Sequence, residues 1–117
     1  MFNIRICNLN ITQVIFDRLV EDKVDSNHNN FFVAIRMRDN SRRVLRSPEL
    51  SFPTSAPGTV QLDFSCSIQY SHALKRDSSN LLQLLIQRRK KYKKKSVNLG
   101  YKTLAYCTID LAQVDNT

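Results

Sequence analysis

The sequence contains few of the residues from which nucleotide and cofactor sites are built. Glycine occurs only at Gly58 and Gly100 in a chain of 117 residues. A phosphate-binding P-loop or a dinucleotide-binding turn needs several glycines in a short segment, because the backbone must approach the phosphates closely. Both kinds of nucleotide site are therefore excluded, and we expect the protein to bind no cofactor.

Cysteine is scarce and widely spaced, at Cys7, Cys66 and Cys107. An odd number of distant cysteines argues against a disulfide framework and against the paired spacing of zinc ligands. We therefore expect free, buried thiols and no metal site.

Motifs for catalysis and for membrane insertion are also missing. His28 and His72 lie in polar segments, and neither falls in a local pattern that would pair it with a Ser or Cys nucleophile. The acidic residues likewise show no tight carboxylate pairing of the kind that acid–base catalysis uses, so we expect no enzymatic activity. No apolar run approaches the roughly 18 residues of a membrane span, and the residues after Met1 lack the layout of a signal peptide. These absences predict a cytosolic protein.

Alternation of apolar and polar residues predicts β-strands. It is clearest in residues 59–70, where every second residue from Val60 to Tyr70 is apolar, a period of two that is typical of a half-buried strand. This segment is about twice as long as a usual strand, so we expect a bulge, a bend or frayed ends. The alternation places Cys66 on the inward face of this strand. It places Cys107 on the inward face of a later strand.

Four further segments favour strands. In residues 31–38 we expect one face toward the core and the other outward; the core face is Phe31, Val33, Ile35 and Met37, and the outward face is Phe32, Ala34, Arg36 and Arg38. Residues 81–87 are apolar on both faces, as in a central strand, and residues 99–111 alternate again. At the N-terminus, a strand with a register shift is suggested by Phe2, Ile4 and Ile6 and then by Leu9 and Ile11.

Polar or proline-containing breaks separate these strands, and no segment has a convincing helical pattern. The sequence therefore predicts a single all-β domain over residues 1–117, an antiparallel β-sandwich.

Positive charge is concentrated in one segment, the basic run. It consists of Arg88, Arg89, Lys90, Lys91, Tyr92, Lys93, Lys94 and Lys95. The run holds seven of the 18 Lys and Arg residues, and the remaining 11 nearly balance 10 Asp and Glu, so it accounts for most of the net charge of +8. Such a field attracts phosphate, acidic peptide, nucleic acid or anionic lipid. The simpler alternative is a solvated linker or nuclear-import tract.

A second group of cations is Arg36, Arg38, Arg42, Arg43 and Arg46. The guanidinium fork suits bidentate contacts with phosphate or carboxylate, whereas lysines supply mobile point charges. We expect Arg42, Arg43 and Arg46 to form a secondary basic patch that converges with the run; alternatively, these arginines only solvate a sheet edge.

The register of Leu82, Leu84 and Ile86 places Arg88 and Lys90 on one side of a strand end, where the run is partly preorganised.

The last strands resemble a known sandwich. Leu84-Leu85-Ile86, then Leu99-Gly100, then Thr108-Ile109-Asp110-Leu111 resemble the end of the calcium- and phospholipid-binding domain first defined in protein kinase C, the C2 type. In that family the loop after the first of these strands carries calcium-ligating aspartates, and Arg88 and Lys90 stand at the matching positions. Calcium needs several oxygen ligands and is repelled by cations, so the resemblance implies a calcium-independent C2-like domain.

A closer resemblance covers most of the chain from about Phe32. It is carried by residues 43–47, 68–70, 74–76, 87–93 and 99–105 together with His72, which resemble the cargo-binding (furin-binding) region of the phosphofurin acidic cluster sorting proteins. The first thirty residues match poorly. Members of that family carry long regions after this one, so the chain is consistent with a fragment of a longer protein.

This resemblance implies a cytosolic sorting connector, peripheral to the trans-Golgi network and endosomes. It would bind acidic clusters, often phosphorylated by casein kinase two, in the tails of membrane proteins and link them to clathrin adaptors. A docking site for that kinase maps onto Arg88, Arg89, Lys90, Lys91 and Tyr92. The adaptor-binding stretch maps onto residues 59–66, where Asp63 is the one acid left.

We therefore expect acidic, preferably phosphorylated, peptides to bind the basic run with help from the secondary patch. The alternative is a peripheral membrane module in which the same lysines contact anionic lipids. Nucleic acid is the third choice, because Tyr92 is the one aromatic residue in the run and single-strand binders usually offer several.

Calcium should leave the melting temperature and membrane binding unchanged, because Arg88 and Lys90 stand where carboxylates would be needed. A ligand that binds the folded state raises stability by mass action, so thermal unfolding with and without millimolar calcium tests this. A clear rise with calcium and none with magnesium would contradict the expectation.

Overall fold

Two antiparallel sheets pack face to face in the computed structural model of the protein, which describes residues 3–18, 30–38, 40–72, 80–90 and 100–111. The strands are β1 (Asn3–Phe16), β2 (Asn30–Met37), β3 (Asn40–Arg46), β4 (Leu50–Ser51), β5 (Gly58–His72), β6 (Leu81–Arg89) and β7 (Tyr101–Asp110). One sheet contains β1 and β5. The other has the order β3-β2-β6-β7, with β4 paired to β2. The predicted antiparallel β-sandwich is confirmed.

The long strand β5 follows the predicted period of two. Its even-numbered side chains from Val60 to Tyr70 are half-buried or buried, and the odd-numbered ones are exposed. Its pairing with β1 shifts once, because Ile11 lies opposite Phe64 whereas Gln13 lies opposite Gln61. One extra residue on β5 therefore forms a bulge, which confirms the irregularity expected for so long a strand.

The inward face of β1 changes at the same bulge. The residues that pack on the core are Cys7, Leu9 and Ile11 before it and Val14 and Phe16 after it. Ile4 and Ile6 lie on the other face and are exposed, because side chains alternate along a strand and Leu9 points inward. The predicted strand and its register shift are thus present, but placing the shift between Ile6 and Leu9 was wrong.

Strand β2 is buried on both faces. Phe31, Val33, Ile35 and Met37 face the core, as predicted. Phe32 and Ala34 lie on the outer face, also as predicted, yet they are only 6% and 0% exposed. The reason is that β2 lies between β3 and β6, and side chains from β6 and β7 cover Phe32. The outer face of this sheet is therefore partly apolar at its centre.

Aromatic rings close one end of the core. The ring of Phe31 lies 5.3 Å from that of Phe16 and 4.6 Å from that of Phe52, centroid to centroid. The other end contains the buried side chains of Ile35, Met37, Ile68, Tyr70, Leu82 and Leu111. Burial of each large apolar side chain contributes about 1.5–3 kcal/mol, so this core joins the two sheets and supports the outer face above it.

Strand β6 lies between β2 and β7, as predicted for a central strand. The inner face of β7 is less covered, because a cleft lies between it and β1 of the smaller sheet. An apolar cleft of about 410 Å³ opens there; its lining includes Ile11, Val14, Leu84, Ile86, Ala105 and Cys107. Cys107 is therefore exposed and Cys66 half-buried, so the prediction of a buried Cys107 was wrong although its strand is correct.

The two thiols should differ in reactivity. Burial raises the pKa of the Cys66 thiol, and the nearby Cys7 adds to this effect, so less of Cys66 is present as reactive thiolate at neutral pH. Because the exposed Cys107 lacks the steric protection of Cys66, we expect it to react about tenfold faster with a bulky maleimide in native protein. Labelling followed by peptide mass spectrometry measures both rates, and unfolding in urea should abolish the steric difference. Equal native rates would contradict these strand faces.

Candidate anion-binding site

The basic run begins inside β6 and continues past its end. Arg88 lies on the inner face and is 8% exposed, and its Nη1 donates to the backbone oxygen of Arg89 at 3.1 Å. Arg89 lies on the outer face, and both Arg89 and Lys90 are exposed. Lys91, Tyr92, Lys93, Lys94 and Lys95 lie outside the described residues. In the described part of the run, Arg89 and Lys90 are thus the cations that face solvent.

A backbone contact joins the two ends of the segment that contains the run. The backbone nitrogen of Lys90 donates to the backbone oxygen of Gly100 at 2.9 Å. Gly100 has a φ of +90°, a conformation that residues with a side chain rarely adopt. The chain therefore leaves β6 and enters β7 at adjacent points, which fixes the base of the run at the end of the sheet.

The three arginines of the secondary patch do not share one face. Arg42 and Arg43 are exposed and Arg46 is half-buried. Arg43 lines a small depression with Leu45 and Ile68, between β3 and β5. Arg46 lies opposite Ala34 on the outer face. Only part of the predicted patch is therefore positioned to act together with Arg89.

Two contacts hold Arg46 on the outer face. Its Nε donates to Oε1 of Gln87 at 3.0 Å. Its guanidinium carbon lies 3.7 Å from the centroid of the Tyr101 ring, a cation–π contact of about 0.5–2 kcal/mol depending on desolvation. The orientation of this guanidinium is therefore set by the protein.

An aromatic pair connects Arg46 to the basic run. The rings of Phe32 and Tyr101 meet edge to face, with centroids 5.4 Å apart and planes at 88°. The guanidinium carbon of Arg89 lies 5.3 Å from the centroid of Phe32. One arginine from each basic segment thus rests on the same pair of rings. We call Phe32, Arg46, Gln87, Arg89, Tyr101 and Thr103 the outer-face cluster.

Gln87 is the member of this cluster that lies on the central strand β6. It is 4% exposed, and besides accepting from Arg46 it donates from Nε2 to Oγ1 of Thr103 at 3.1 Å. A buried amide needs hydrogen-bond partners; here Thr103 comes from the adjacent strand β7, and Arg46 reaches over β2 from β3. A similar bond joins Arg36 Nε to Gln83 Oε1 at 2.9 Å further along the same face.

The cluster contains residues that the sequence patterns did not single out as functional. Phe32, Gln87 and Tyr101 carry no charge, and only the outward position predicted for Phe32 hinted at an aromatic residue on this face. Among the residues that the structure describes, no group of three or more His, Cys, Asp or Glu side chains could hold a metal ion. Fixed guanidiniums on an aromatic support suit anionic ligands instead.

Replacing Gln87 should loosen the cluster. Gln87→Ala leaves Arg46 and Thr103 without this buried partner, so we expect a loss of about 1–3 kcal/mol in the free energy of unfolding. Gln69→Ala, at an exposed position of β5, is the control and should change stability by less than about 0.5 kcal/mol. Urea denaturation measures both. Equal effects of the two substitutions would mean that the Gln87 network does not stabilise the fold.

Comparison with known proteins shows what this domain is related to. Residues 2–117 match the family model of the N-terminal C2 domain of phosphofurin acidic cluster sorting protein. The chain is 42% identical over 92 residues to human and rat phosphofurin acidic cluster sorting protein 1, covering 79% of this chain and 9% of the relative. It is 38% identical over 110 residues to human phosphofurin acidic cluster sorting protein 2, covering 94% of this chain and 12% of the relative.

No solved structure matches the chain significantly. The family match includes β1, which precedes the point near Phe32 where the recognisable sequence segments begin. The chain corresponds to about a tenth of the length of these relatives. The C2-type sandwich and these identities establish that the chain belongs to the phosphofurin acidic cluster sorting protein family.

Proposed function

We propose that this domain is a non-enzymatic module that binds acidic, preferably phosphorylated, clusters in the cytosolic tails of membrane proteins. The observation that carries the proposal is the meeting of Arg46 and Arg89 over one aromatic pair. This arrangement joins the basic run to part of the secondary patch on a single face. The names of the relatives, which are sorting proteins and not enzymes, support the same class of function.

The chemistry of the face fits a reversible contact with such a ligand. Each phosphoserine carries a charge of about −1.5 to −2 and three acceptor oxygens. Charge-assisted hydrogen bonds contribute about 1.5–3 kcal/mol each when well formed and less when exposed. Three or four of them would give micromolar affinity after the costs of association. Binding of that strength suits the capture and release of cargo.

The proposed setting is transport at the trans-Golgi network and endosomes. Casein kinase two would dock on the start of the basic run, of which Arg89 and Lys90 are exposed in the described part.

Clathrin adaptors would contact residues 59–66, which belong to β5. Along that stretch the exposed side is Thr59, Gln61, Asp63 and Ser65. A single acid there provides a weak electrostatic attraction, so adaptor binding would depend mainly on hydrogen bonds to the backbone and to these polar side chains.

Reversing four charges of the run should abolish binding to a phosphorylated acidic-cluster peptide. In Lys90→Glu, Lys91→Glu, Lys93→Glu and Lys94→Glu combined, attraction becomes repulsion where the ligand charge would lie, so we expect affinity to fall at least about 100-fold. Calorimetric titration measures it, and circular dichroism checks folding. Wild-type affinity should also fall as salt rises from roughly 50 to 300 mM.

The matched control reverses four cations outside the run, in Arg5→Glu, Arg18→Glu, Lys23→Glu and Lys75→Glu combined, which changes the net charge equally. It should retain most of the affinity. If the run variant stays folded and binds within twofold of wild type, the run is not the site and Arg42, Arg43 and Arg46 become the leading candidates. If dephosphorylating the peptide has no effect while vesicles containing phosphatidylserine bind tightly, the membrane alternative is favoured.

A further inference from the structure

The contacts of Arg46 leave one part of its guanidinium available for a ligand. Gln87 takes Nε, and the Tyr101 ring covers one face of the group. Among the described residues, neither of these two contacts uses the terminal Nη groups. In the planar guanidinium one N–H bond of each Nη group lies at the outer end, and these two bonds are parallel. Arg46 therefore offers a pair of parallel donors whose direction is already fixed.

Arg89 supplies a second guanidinium on the same aromatic pair. It is exposed at the end of β6 and lies over Phe32 at 5.3 Å from the ring centroid. Because the Phe32 and Tyr101 rings are in contact, the two guanidiniums stand over neighbouring rings of one pair. Arg46 is held by a hydrogen bond and a close ring contact, whereas Arg89 makes a looser ring contact and can adjust to a ligand.

We propose that Arg46 and Arg89 form a phosphate clamp, which selects a phosphorylated side chain over aspartate or glutamate. This inference rests on the proposed function and specifies which feature of the ligand the site distinguishes. A phosphoryl group has three terminal oxygens, two for the Nη groups of Arg46 and one for Arg89. A carboxylate has two oxygens and a single charge, so one guanidinium can bind both oxygens. The second arginine then adds little to the affinity.

The aromatic pair and Gln87 act as positioning residues for the clamp. A guanidinium held in its binding orientation loses less conformational freedom when the ligand arrives than a free lysine side chain does. Lysine cannot replace Arg46 in the clamp. It keeps the charge but has neither the fork of donors nor the planar group that stacks on Tyr101. Charge-conserving substitutions therefore separate the clamp from general attraction by the basic run.

The experiment compares two peptides that differ only in carrying phosphoserine or aspartate at the centre of an acidic cluster. Calorimetric titration gives the ratio of their affinities for each protein. We expect the wild type to prefer phosphoserine at least about tenfold, and Arg46→Lys and Arg89→Lys each to reduce the ratio to about threefold or less. The matched control Arg18→Lys, at an exposed position after β1 and outside both basic segments, should leave the ratio at its wild-type value.

A wild type that binds both peptides within twofold of each other overturns the clamp and leaves acidic-cluster binding intact. The same conclusion follows if Arg46→Lys and Arg89→Lys keep the wild-type ratio. A wild type that binds neither peptide contradicts both proposals. If Arg46→Lys fails to fold by circular dichroism, the exposed Arg89→Lys decides the outcome alone. The clamp could instead bind lipid phosphate. In that case Arg46→Lys and Arg89→Lys would lose as much affinity for vesicles containing phosphatidylserine as for the phosphoserine peptide, and this result would also overturn the inference.

Discussion

The edge-to-face contact between Phe32 and Tyr101 organises the outer face of the larger sheet. Phe32 lies on β2 and Tyr101 on β7, so their contact passes over the strand between them, where Gln87 lies. Gln87 is buried there and needs partners, and Arg46 and Thr103 supply them. Arg46 and Arg89 in turn rest on the two rings. Without this contact, the two basic segments would have no common support.

The parts of the fold that depend on local alternation could be predicted from the sequence. The two faces of β5 follow directly from its period of two, and the apolar run of β6 identified a central strand. An irregularity in β5 was expected, because a long strand must bend to follow the twist of its sheet, and the structure has a bulge where Ile11 and Gln13 pair with β5. Its position depends on the pairing of β1 with β5, which the pattern within β1 did not reveal.

The parts that depend on distant strands could not be predicted in the same way. The alternation placed Phe32 on the outer face, but its burial depends on Tyr101 and Arg89, which lie more than fifty residues later. Cys107 was assigned to the correct strand, but its exposure depends on the cleft between β7 and the facing strand β1. The basic run was evident from composition. The hydrogen bonds of Gln87, in contrast, depend on Arg46 of β3 and Thr103 of β7, which are distant in sequence.

Strand geometry also limits how many charges of the basic run can reach one ligand. Successive side chains on a strand point to opposite faces, so Arg88 turns inward and is 8% exposed while its neighbour Arg89 is exposed on the outer face. An affinity obtained by counting all seven cations of the run would therefore be too high. In the proposed site Arg46 on β3 would compensate for this charge, because it reaches the aromatic pair on which Arg89 also rests. If these two arginines bind the ligand, recognition would be more specific than attraction by charge alone, since the direction of the Arg46 guanidinium is set before the ligand binds.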